Sequence, residues 1–117
     1  MTWIGLILVF LSGIANGFSD RISFHYDTVP EFLSPNFWNP LISYKNKYKD
    51  DDPKKGERFF GSTTFLVFLT DGWHLTQFLN NKLLVFGVIV VMLAGFDVVN
   101  ILSIFAMYHI GFQIIYK

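Results

Sequence analysis

The sequence predicts an all-α, polytopic membrane protein: about four transmembrane helices, a proline-rich aromatic interfacial segment and one charged cytoplasmic loop. Three observations carry that prediction. The 117-residue chain is 52% hydrophobic and 15% charged, against about 25% charged in soluble domains. Its charge is concentrated, because residues 45–58 hold six of the nine basic and four of the nine acidic side chains. That is the partition expected of apolar spans plus one exposed loop. The flanking runs are long and apolar, and mean hydropathy is +0.42. Net charge is zero with no basic stripe, so the expected partner is the lipid bilayer and not nucleic acid. Cysteine is absent, which removes disulfides, thiolate metal sites and cysteine nucleophiles.

The elements follow in order, as one helical membrane domain over 1–117. Residues 2–27 read as the first helix. No Lys or Arg precedes the apolar run, so a retained span is expected and not a cleaved signal. Ser12, Asn16, Asp20, Ser23 and Asp27 recur at spacings of three and four, a polar stripe on one helix face. Pro30, Pro35 and Pro40 exclude a regular helix across 28–48. Phe37, Trp38, Tyr44 and Tyr48 suit the headgroup level. Residues 45–58 read as a solvated loop, placed in the cytoplasm by their Lys and Arg content, as in a bacterial inner membrane. Ser62 or Thr63 can cap a second helix over 61–80. Asn80, Asn81 and Lys82 read as a polar turn, followed by helices over 83–96 and 98–116 with the break at 95–97.

The stretch 61–79 is apolar enough to enter a bilayer, yet it holds Asp71 and His74 three residues apart, on one helical face. Ionisable groups at membrane depth are costly and often mark function. Counted from the expected helix ends at about 1.5 Å per residue, Asp20, Asp71 and His109 fall about 10–13 Å deep on three helices, with His74 one turn further. Carboxylates and imidazoles without sulfur suit zinc, manganese or iron, and helical bundles host such sites. The expected metal ligands are therefore Asp20, Asp71, His74 and His109. His74 doubles as general base, and His25 lies at the entrance as a further catalytic candidate. The structural alternative is that Asp71 hydrogen-bonds its neighbours and fixes helix register.

Three segments carry a resemblance, Phe37-Trp-Asn-Pro40, residues 43–49, and Gly56-Glu-Arg-Phe-Phe-Gly-Ser-Thr-Thr-Phe-Leu-Val-Phe-Leu-Thr-Asp-Gly-Trp-His-Leu75, and it extends to Ser19-Asp20 with Phe24-His25 and to the Tyr108-His109 pair. They resemble a set of small integral membrane proteins of Bacteroidetes-type bacteria. The resemblance implies membrane insertion, draws attention to the same acids and histidines, and brings no activity with it. A looser similarity is to membrane-embedded zinc amidases of the alkaline ceramidase and adiponectin-receptor type. Thr70-x-x-x-His74 is similar to their Ser-x-x-x-His box, while a His-x-x-x-His box is missing and the chain is too short for seven spans. The function expected from the residues is a metal-dependent hydrolase acting on a lipid or other amphipath. The alternative is a non-catalytic subunit of a larger membrane complex or a self-assembling pore, for which Gly5, Gly13, Gly17, Gly87, Ala94 and Gly95 offer close helix contact.

Overall fold

The computed structural model describes residues 2–116. It contains α1 (Thr2–Phe24), two single-turn helices α2 (Pro35–Trp38) and α3 (Pro40–Ser43), and two long helices α4 (Gly72–Ala94) and α5 (Val98–Tyr116). Short 3-10 turns fill much of the stretch between α3 and α4, and no β-strand occurs among the described residues. Three helices, α1, α4 and α5, are long and apolar enough to cross a membrane. The sequence instead predicts four spans, with separate helices over 61–80 and 83–96.

The difference lies in how residues 61–82 are used. Residues 61–70 are apolar but not α-helical. Gly61 has φ +81°, a left-handed conformation that a residue with a Cβ adopts only at a cost. Ser62 and Thr63 do not cap a helix. The Ser62 hydroxyl donates to the Lys47 carbonyl at 2.7 Å and accepts from the Arg58 N–H at 3.0 Å. Thr63 donates its N–H and hydroxyl to the Glu57 carboxylate at 3.1 and 2.8 Å. The long helix begins only at Gly72, with Asp71 as its cap. It then runs straight through Asn80, Asn81 and Lys82. Asn80 is tolerated inside it because the buried Asn80 Oδ1 accepts from the Tyr108 hydroxyl at 3.1 Å.

The chain divides into two compact units, one of Met1–Phe18 with Leu79–Lys117 and the other of Ser19–Phe78. In the first, α1 approaches its neighbours through glycine. A Cβ on Gly5 would lie 2.8 Å from the Gly87 carbonyl, and one on Gly87 would lie 2.9 Å from the Gly5 carbonyl. Both are closer than side chains tolerate, so the pair lets two backbones touch. Gly5 and Gly87, two of the small residues expected to offer close helix contact, thus meet each other within this chain. Val9 and Val91 fill the buried space beside them. The turn at 95–97 ends in Asp97, whose Oδ1 accepts from the Asn100 N–H at 2.9 Å and caps α5. Most large apolar side chains of α5, such as Leu102, Phe105 and Ile114, face outward, as lipid-facing residues do.

The second unit is an ordered polar structure. Pro35 and Pro40 stand at the first position of α2 and α3, where a missing N–H costs nothing. They exclude a long helix and start two short ones. Asn46 donates from Nδ2 to the carbonyls of Asn36 and Thr70, at 2.7 and 2.8 Å. Arg58 donates from Nε to the Asn46 carbonyl at 2.7 Å and pairs with Asp51. The run 45–58 is therefore folded, with backbone pairing between Tyr48 and Glu57. Gly72 leaves room for the Trp38 ring at the head of α4, where a Cβ would collide with it. The Ser19 hydroxyl accepts from Gln77 Nε2 at 2.8 Å, joining the end of α1 to the start of α4.

Candidate functional site

Asp71 is the N-cap of α4. Its Oδ1 accepts from the His74 N–H at 2.9 Å, satisfying one of the donors a helix start leaves unpaired. The same carboxylate meets the imidazole: His74 Nδ1 lies 2.9 Å from Oδ2 and 3.1 Å from Oδ1. Oδ2 also faces the Thr70 hydroxyl at 3.1 Å, a group that lies 2.7 Å from the Val67 carbonyl and has one proton for both acceptors. The Asp71 side chain is 2% exposed and that of His74 28%. Burial raises the Asp71 pKa, but the hydrogen bonds from the His74 ring and N–H, the nearby imidazole charge and the Thr70 hydroxyl outweigh it. The net direction is below the ordinary carboxylate value. Glu57 is lowered too, first by the Thr63 N–H and then by its hydroxyl.

The pair lines an open recess of about 190 Å³ with Ser23, Pro40, Ser43, Tyr44 and Trp73. Trp73 meets the His74 ring edge-to-face, centroids 5.0 Å apart. Ser43 is buried, and its hydroxyl has no hydrogen-bond partner among the described residues. Such groups are uncommon and call for a ligand or water atom. Neither Ser43 nor Pro40 stands out in the sequence as part of a site. Both fall in segments that carry the resemblance, but that resemblance assigns them no role, and only the fold of 35–48 brings them to the Asp71–His74 pair.

Of the sequence-predicted site residues, the structure brings together Asp71 and His74. Their depth is corrected: with the helix starting at Gly72, Asp71 stands at a helix head and not partway down a span. Asp20 is half-buried on α1 and His25 is exposed just past its end; neither lines the recess. His109 lies in the other unit, exposed on α5, and its neighbour Tyr108 makes the contact to Asn80. Among the described residues no three of His, Asp and Glu come together as a group that could hold a metal ion. The levelling of Asp20, Asp71 and His109 assumed a helix end at Ser62 that the fold does not contain.

A second recess of about 620 Å³ in the same unit is lined by Lys45, Arg58, Asp51, Asn46 and several aliphatic residues. Comparison with known proteins finds no matching family model, no matching curated protein and no matching solved structure.

Proposed function

We propose that the protein is a small integral membrane hydrolase in which His74, oriented by Asp71, is the general base acting on an amphipathic ester or amide at the membrane surface. The observation that carries this reading is the 2.9 Å contact between Asp71 Oδ2 and His74 Nδ1 on the wall of an open recess. An ionised carboxylate only accepts, so Nδ1 carries the proton and Nε2 of the neutral ring holds a lone pair. Water at Nε2 gives a proton to the ring as its oxygen attacks the carbonyl carbon. The imidazolium then passes that proton to the leaving alcohol or amine as the acyl bond breaks. Asp71 stabilises the imidazolium and keeps its own charge. A metal-assisted version of this hydrolysis, with zinc, manganese or iron, requires donors beyond Asp71 and His74, because catalytic metal sites hold three protein ligands.

The orientation we propose follows the lysines of 45–58, which favour the cytoplasmic side of a bacterial inner membrane. With three spans the turn at 95–97 then lies on the opposite side. The test is turnover of acyl esters and phospholipids by the full chain in mild detergent. His74→Ala is expected to lower it by roughly 10²–10⁴. Equal turnover in wild type and His74→Ala would overturn the reading. Near-stoichiometric metal in the wild type, lost in Asp71→Asn, would replace the general base with a metal.

One observation favours a second reading, a subunit of a larger membrane complex or a homo-oligomeric pore: only 6% of the apolar window of α5 is buried. Obligate co-purification with other chains, or a large ring in mild detergent, would support it; a discrete monomer would support lipid as the cover.

A further inference from the structure

We infer that the larger recess of the second unit binds the headgroup of an anionic phospholipid. Its volume is about 620 Å³ and its lining is mixed. Lys45 and Arg58 share it with a single carboxylate, Asp51, leaving one net positive charge. Leu41, Ile42 and Leu69 also line it and are 85%, 47% and 55% exposed. The guanidinium is held in place by its bonds to the Asn46 carbonyl and to Asp51, which use two of its five N–H donors. Asn46 is itself fixed by its bonds to Asn36 and Thr70. Arg58 is thus a cation on a rigid mount, suited to a phosphate. Lys45 adds a second charge on the exposed surface, its Nζ 5.6 Å from the Tyr44 ring centroid.

The aliphatic lining decides the source of the anion. A free phosphate gains nothing from Leu41, Ile42 and Leu69, whereas a phospholipid places its glycerol and first methylenes against them. The segment that builds the recess runs from the end of α1 to the start of α4, two membrane-length helices. It is therefore tied to a bilayer surface at both ends. Anionic leaflets attract such cations in any case; the recess turns that attraction into a site.

The test is lipid binding by the full chain, read by native mass spectrometry from detergent, with phosphatidylglycerol, phosphatidylcholine and inorganic phosphate as probes. The expected result is retention of phosphatidylglycerol over phosphatidylcholine, undisturbed by an equal concentration of inorganic phosphate. Lys45→Gln weakens it about fivefold and Lys45→Arg restores it. Leu41→Asn, which leaves every charge in place, also weakens it. His74→Ala binds as wild type, which separates this site from the hydrolytic reading. Equal retention of the two lipids, unchanged binding in Lys45→Gln, or displacement by inorganic phosphate would overturn the inference.

Discussion

Asp71 and Asp97 both open a long helix by accepting the N–H three residues on, yet only Asp71 is buried. The cap alone does not require burial or a facing imidazole, so the His74 contact is an addition to the structural role. Asp71→Asn separates the two. Asn is as good a cap as Asp, and its carbonyl oxygen can still accept from His74, but the charge that steadies an imidazolium is gone. The expected outcome is unchanged helix content by circular dichroism with lowered turnover. The pH dependence has a defined sign. Asp71 has a folded pKa below its unfolded value, so its stabilisation is complete above the ordinary carboxylate range, about 4. It is lost as pH falls through the lower folded value. The thermal midpoint of the wild type in detergent should therefore hold from neutral pH down to about 4 and drop below it, with a smaller drop in Asp71→Asn. An equal acid drop in both proteins would take the effect away from Asp71.

At the scale of elements, the ends of the chain were more legible than its middle. The helix predicted over 98–116 and the observed Val98–Tyr116 share their bounds, because Asp97 caps an uninterrupted apolar run. The first helix, predicted to 27, ends at Phe24 and gives way to a 3-10 turn at Tyr26–Thr28, where Arg21 binds the Thr28 carbonyl and hydroxyl. The middle failed for a physical reason. Hydropathy does not distinguish an apolar α-helix from a run of apolar turns anchored by polar stitches, and 61–70, with its 3-10 turn at Val67–Leu69, is the latter. Its main stitch, Ser62, bonds to Lys47 fifteen residues back, a pairing with no local periodicity. Asn80-Asn81-Lys82 misleads in the opposite direction, since the partner that keeps Asn80 in a helix, Tyr108, is remote in sequence. Within the site, Asp71 and His74 were legible from their spacing, whereas Ser43 and the recess were not. Ser62→Ala tests the stitch. It removes the hydroxyl's bonds to the Lys47 carbonyl and the Arg58 N–H, which keep their own bond to each other at 3.0 Å, so the cost is that of a lost hydrogen bond, about 0.5–1.5 kcal/mol. The expected readout is a lowered thermal midpoint and faster proteolysis within 45–62; an unchanged midpoint would make the stitch dispensable.

At the scale of the whole molecule, three membrane-length helices change what the sequence implied about sidedness. Four spans place the loop 45–58 and the turn 95–97 on the same side of the membrane. Three spans place them on opposite sides, because α4 is one continuous helix from Gly72 to Ala94. The polar site belongs to the head of α4, and both the hydrolytic reading and the proposed lipid site depend on that head lying at the membrane surface. The chain has no cysteine of its own, so single cysteines report cleanly. The most direct measurement is labelling of Lys54→Cys and Asp97→Cys in sealed vesicles with a membrane-impermeant maleimide. Protection of one position and labelling of the other is the predicted result, with the pattern reversed in inverted vesicles. Labelling of both positions from the same side would contradict a single crossing by α4 and return Asp71 and His74 to the interior of a span.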